Sequence, residues 1–209
     1  MRSFLTSKAD SVVQQLSGQS RYRVHVHECS HFLDVLRYSA VESLSQPWRY
    51  DVVVTCSSAD IACDALLLKP ASFTFQTPVS DGTPALPLRT VFGVVESFRR
   101  ISASNDETRY ALTIVPRIAL LNYTKGSEIY LNQSVTEVVE LVLRKHGLEG
   151  QDFEFRLSRE YPPRELITQW RETDLEFIRR LLAEVGIYWR YEMLSLIHIS
   201  EPTRRYAIS

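Results

Sequence analysis

Three cysteines and seven glycines are all that 209 residues contain. Cys29, Cys56 and Cys63 are odd in number and lack paired CxxC spacing, which argues against a secreted disulfide framework and against a zinc site; reduced, mostly buried thiols are the expectation. The glycines are scattered as turn and cap residues, so no phosphate-cradling GxGxxG or P-loop occurs. GxSxG and HExxH are missing as well. Charge of one sign is not in excess. A formal net charge of −1, with basic residues spread along the chain, lacks the electrostatic footprint of nucleic-acid binding and gives no reason to expect anionic lipid. No stretch approaches the roughly 18 consecutive apolar residues of a membrane span. The first 20 residues, MRSFLTSKADSVVQQLSGQS, are positively charged but hold no apolar run of signal-peptide length, so a cytosolic start without stable membrane anchoring is expected. No fixed short repeat is found, and in particular no valine-glycine repeat. What remains is ordinary folded-protein composition, 44% hydrophobic and 23% charged, in a chain long enough for one or two domains.

Short alternating runs dominate the first half. Residues 22–27, 48–56 and 72–76 alternate with period two, the mark of antiparallel strands with one buried face. Pro78, Pro84 and Pro87, with Asp81 and Gly82, make 76–88 an exposed loop. Residues 91–102 and 108–115 flank a hairpin tip near Asn105 and Asp106, and Gly93 is expected to mark a bulge or tight corner. Several short strands with turn signals between them imply a barrel or sandwich, since closure protects strand edges.

The second half changes period. Ser134 and Glu137 fit a capping box, followed by the apolar stripe Val135, Val138, Val139 and Val142 and a stop near Gly147. Residues 170–193, WRETDLEFIRRLLAEVGIYWRYEM, repeat the scheme: Thr173 and Glu176 form a second box, and Leu175, Ile178, Leu181, Leu182 and Val185 recur at spacings of three and four. Gly186 can close that helix in the left-handed conformation, and Ile187 to Tyr191 favour a strand.

Candidate chemistry is thin. His25 and His27 lie two apart on a strand with Glu28, Cys29 and His31 nearby, but zinc needs three or four convergent ligands and alternation sends Glu28 to the opposite face. Cys29 carries no signature of a thiol nucleophile. Asp152, Glu154, Glu160 and Glu165 can be paired on paper as glycosidase carboxylates, although Asp152 and Glu154 read equally well as one polar face of a strand. Trp170, Trp189, Tyr188 and Tyr191 can be read as a sugar-stacking surface, or as the core or interface area that large aromatics more often supply. The expectation is therefore no enzyme, with no catalytic residue, no cofactor-binding residue and no metal ligand.

The helix, glycine stop and aromatic strand of 170–193 resemble the VgrG spike proteins of bacterial type VI secretion and the related hub proteins of contractile phage tails (late control D-like). The likeness extends to TRYALTIVPRIALL at 108–121, similar to that family's strand ending in a proline step, and to 127–143, similar to its next strand and helix. Family members often carry an aromatic residue after the proline, where this chain has Arg117, Ile118 and Ala119. The resemblance covers about 22–193. It implies a mainly β fold with α+β segments: an antiparallel barrel-like hub domain followed by a partial second α+β/barrel module. The expected divisions are a 1–20 N-terminal segment, a first hub barrel at 21–121 and an incomplete second module at 122–193.

Residues 194–204, LSLIHISEPTR, back-translate in one frame to a sequence that looks like a sequencing-library transposon adapter. The segment 194–209 is accordingly expected to be non-native, an N-terminal fragment of a longer product is expected to precede it, and His198 and Glu201 receive no functional weight. The alternative is a native apolar strand with a Pro202 turn.

By resemblance, the chain is a structural hub. A homotrimer whose chains each carry two related barrel modules would form a pseudo-sixfold ring on a hexameric secretion tube protein and carry a puncturing needle. Effectors or adaptors would attach through missing C-terminal regions. The protein would be cytoplasmic before firing, then secreted without a signal peptide. A contractile prophage tail hub is the alternative, and an enzyme or a free-standing binding module are further readings.

Overall fold

The computed structural model describes residues 21–78, 85–104, 106–150, 152–191 and 197–200. These divide into two compact units, one holding residues up to Ala40 with Arg49–Val115, the other holding Val41–Trp48 with the chain from Pro116 onward.

The first unit is a curled antiparallel sheet in the order β1-β4-β5-β6-β3-β2. Its strands are β1 (Tyr22–Val26), β2 (Asp34–Val41), β3 (Arg49–Cys56), β4 (Pro70–Gln76), β5 (Pro87–Ala103) and β6 (Thr108–Val115). Alternation sends Val24, Tyr50, Val52, Val54, Phe73, Leu112 and Ile114 to the concave side, where each is buried. The two edge strands approach each other through aromatic rings. Tyr22 of β1 and Tyr38 of β2 are 4.7 Å apart between centroids, and Tyr38 meets Phe73 at 5.0 Å. A loop is pinned by Tyr110, whose hydroxyl accepts from the Ile61 N–H at 3.2 Å and donates to the Ser58 carbonyl at 3.0 Å.

The expected hairpin is present as β5 and β6. Gly93 pairs in register with Ala71, however, and carries no bulge; register shifts fall between Val95 and Ser97, between Arg100 and Ser102, and between Phe75 and Gln76. The expected tip residue Asn105 and most of the expected loop, 79–84, lie outside the described residues.

The second unit starts at Pro116, six residues before the expected division at 122, because the short helical turn Arg117–Tyr123 buries Ile118, Ala119 and Leu121 among its helices. It contains an antiparallel ribbon, β7 (Lys125–Gln133) with β9 (Arg164–Thr173), and a three-stranded sheet, β10-β11-β8. In that sheet β11 (Ile197–Ser200) is antiparallel to β10 (Tyr188–Tyr191) and parallel to β8 (Phe153–Arg156). Thus 197–200, within the stretch set apart above as adapter-like, lies in the middle of a sheet with Ile197 and Ile199 buried; 192–196 and 201–209 are outside the described residues.

Helices α1 (Val135–Lys145) and α2 (Asp174–Glu184) supply most of the core. Val138, Val139, Leu143, Phe177, Leu181 and Leu182 are essentially inaccessible, each contributing on the order of 2 kcal/mol by burial. Both capping boxes form: Glu137 N–H donates to Ser134 Oγ at 3.2 Å and Ser134 N–H to Glu137 Oε2 at 2.7 Å. At α2, Glu176 N–H donates to Thr173 Oγ1 at 3.1 Å and Thr173 N–H to Glu176 Oε2 at 2.8 Å. Gly186 follows with φ +73°, as a left-handed helix stop requires.

Candidate functional site

The residues with metal or nucleophile potential do not converge. β1 ends at Val26, so alternation stops before His27, whose N–H donates to the Pro70 carbonyl at 2.7 Å. Glu28 turns the chain at φ 60° and gives its carboxylate to Lys69 at 2.6 Å, which holds the carboxyl below its ordinary range. Cys29 points its Sγ at the His31 carbonyl, 3.7 Å away. Among the described residues no group of three or more His, Cys, Asp or Glu could hold a metal ion.

The acidic candidates are similarly dispersed. Asp152 precedes β8 rather than sharing its polar face with Glu154; it accepts from the Glu149 N–H at 2.9 Å and lies 3.6 Å from Arg117. Glu154 pairs with Arg156 at 3.0 Å, Glu160 is exposed before β9 and Glu165 is exposed on it.

The aromatic set divides into interior and surface members. Trp189 is buried at right angles to Tyr191, centroids 5.4 Å apart, with Tyr188 half-buried beside it on β10. Trp189 is held by the segment Val41–Trp48, its carbonyl accepting from the Ser45 N–H at 2.9 Å. Burial raises the Tyr191 hydroxyl well above the ordinary phenol range. Trp170, by contrast, is 67% exposed, with the Arg171 guanidinium 5.1 Å from its ring centre.

Trp170 belongs to a surface that no motif search singles out. Tyr130, Ile167 and Gln169 face inward from the β7–β9 ribbon and are buried. On the opposite face stand Ile129, Leu131, Leu166 and Trp170, between 56% and 67% exposed. Leu131 lies opposite Leu166, Ile129 opposite Thr168, and Trp170 opposite Ser127. Together these side chains present an exposed, largely apolar patch, with Thr168 between Leu166 and Trp170 on the same face. The sequence signal is the unbroken run Ile129-Tyr130-Leu131 matched by Leu166-Ile167: a strand with one wet face alternates, and these do not.

The patch sits on a firmly anchored base. Gln169 donates its amide to Asp174 Oδ1 at 2.7 Å and to the Glu172 carbonyl at 3.2 Å, while the His146 imidazole lies 2.6 Å from Asp174 Oδ2. Tyr130 donates to Glu128 at 2.7 Å, and Lys145 pairs with the same carboxylate, which it holds below the usual range. Arg180 ties α2 to β9 through the Thr168 carbonyl at 2.9 Å and the Glu172 carboxylate. A register shift at Gly126 and Ser127 faces Arg171 at φ 51°, whose N–H donates to Ser127 Oγ at 3.1 Å.

The sequence profile of the phage tail baseplate hub (GPD) matches residues 41–200, which takes in the whole ribbon and both helices. The chain belongs to that family. The type VI secretion system spike protein VgrG4b of Pseudomonas aeruginosa is 31% identical over 88% of this chain and 22% of its own length. VgrG3 of Vibrio cholerae, another such spike protein, is 30% identical over 69% of this chain and 13% of its own. This chain thus spans about a fifth of the length of VgrG4b. Among solved structures, the E. coli c3393 protein superimposes with a TM-score of 0.77 at 36% identity, covering 88% of this chain and 50% of that one; it is described as a component of the type VI secretion system similar to T4 bacteriophage tail proteins gp27 and gp5. The 43 kDa tail protein of prophage MuSo2 from Shewanella oneidensis shares the fold, with a TM-score of 0.56 at 14% identity, 89% of this chain and 56% of that one being covered.

Proposed function

We propose that this chain is the hub portion of a type VI secretion spike, acting by assembly and catalysing no reaction. Three copies would close a ring that seats on a hexameric tube protein, with effectors or adaptors carried by further regions of the polypeptide. The protein would act from the cytoplasm and leave the cell with the spike. The observation that carries this reading is the anchored apolar face of the β7–β9 ribbon, in a chain whose relatives are spike proteins. A closed cyclic oligomer would cover such a face at every position. The alternative of a contractile prophage tail hub draws on the family description and on the shared fold of the prophage protein. Neighbouring genes separate the two, secretion-membrane genes favouring one and capsid genes the other.

Light scattering on the intact protein tests the assembly. The double variant Leu131→Glu, Leu166→Lys keeps an opposed cross-strand pair while making the face polar, and should weaken association by about a hundredfold or more while leaving the far-UV circular dichroism of the folded chain unchanged. A trimer that survives this change would remove the ribbon from the subunit contact, and a monomeric wild-type protein would sink the hub reading.

A further inference from the structure

The three-stranded sheet of the second unit is held together by its middle member. β11 pairs with β10 on one side and with β8 on the other, and among the described residues those two flanking strands share no ladder of their own. Directly registered partners point to one face of a sheet, so Ile197 lies between Tyr191 and Phe153, and Ile199 between Trp189 and Phe155. Both isoleucines are buried. The aromatic walls on either side are braced by other elements. Ser45 holds the Trp189 carbonyl, the Trp48 ring meets Tyr191 at 6.1 Å, and the Arg144 guanidinium of α1 lies 5.8 Å from the Phe153 ring centre.

We propose that β8 and β10 form a strand-accepting slot, which binds an extended peptide through its backbone and through two aliphatic side chains two residues apart, and which such a segment of a protein partner can fill in place of β11. The slot asks for little. Each flanking strand offers a row of backbone donors and acceptors, and these select for extension rather than for residue identity. The Ile197 N–H, which donates to the Asp152 carbonyl at 3.0 Å, makes a contact that any residue except proline could make. Selection by side chain is left to the two aromatic-walled places, where a β-branched aliphatic residue loses little freedom on packing. A stretch of adapter-like sequence already meets that demand at Ile197 and Ile199. An emptied slot would leave two unpaired strand edges beside aromatic rings, an arrangement that favours refilling.

Fluorescence anisotropy on the full chain tests this with two labelled hexapeptides of one composition, Ser-Ile-His-Ile-Ser-Glu and its isomer Ser-Ile-Ile-His-Ser-Glu, in which the isoleucines are adjacent and cannot share a face. The double variant Ile197→Asp, Ile199→Asp empties the slot in cis; it should bind the alternating peptide, and the isomer about tenfold or more weakly. Wild type, whose slot is filled, should bind the alternating peptide about tenfold or more weakly than the double variant does. Should the double variant lose its helical circular dichroism, the alternating peptide should restore it and the isomer should not. Equal effects of the two peptides, in binding and in helix recovery, would overturn the proposal. So would equal binding of the alternating peptide by wild type and the double variant, which would place the peptide elsewhere on the molecule. The slot lies within one unit of one chain, so either failure leaves the hub reading untouched.

Discussion

Asp174 is the residue on which the second unit is most exposed to damage. Only 1% of it is accessible, and its two carboxylate oxygens are divided between His146, at the end of α1, and Gln169, on the inner face of β9. Asp174 stands in the first turn of α2, where the helix leaves backbone N–H groups unpaired, and His146 caps the far end of α1, so the contact ties the two helix termini together. Asp174→Ala would leave an imidazole and a buried amide without their acceptor and should cost about 3 kcal/mol in urea denaturation at neutral pH. Asp174→Asn retains one acceptor for Gln169 and should cost less. An alanine variant as stable as wild type would show that the pair contributes nothing net. The constellation is not legible in the sequence because its members lie 28 and 5 residues apart with no recurring motif, and only the packed fold brings His146 to Asp174.

At the scale of elements, the helices were the most legible part of the chain, because a capping box is a local arrangement of four residues and needs no tertiary partner. Thr173→Ala should lower stability by about 1 kcal/mol and Thr173→Ser should be nearly neutral, a difference that thermal melts of the two variants will check. Strands with one wet face were legible for the same reason: 48–56 alternates cleanly and forms β3. β2 was not foreseen. It is an edge strand in which only Val35 and Tyr38 are even half-buried, so its composition shows no period. β9 was missed because apolar residues occupy both of its faces. That double-sided pattern, misleading for secondary structure, is what marks the ribbon as a surface for contact.

For the whole molecule, acid should be the condition that loosens it. Glu28 held by Lys69, Glu128 by Lys145 and Glu184 by Arg164 all titrate below the usual 4.5 of a glutamate in the folded protein. Each therefore favours the native state fully above that value, and the contribution fades as pH falls through the lowered folded values. Urea midpoints should be flat from pH 7 to about 5 and decline below it, while added salt flattens the decline because these pairs are partly exposed. A midpoint that rises between pH 5 and 3 would refute the assignment.

The seating of Val41–Trp48 against β10 has a consequence for synthesis. Ser45 and its partner Trp189 are 144 residues apart, so the second unit cannot be finished when its own helices are made. At ribosomal speeds of about 5–20 residues per second, the early strand connection waits on the order of ten seconds for the tryptophan that receives it. A nascent chain stalled before that tryptophan would expose a protease-sensitive stretch at 41–48, and release past it would close the stretch, making the clipping pattern of staged translation products a clock for the completion of this fold.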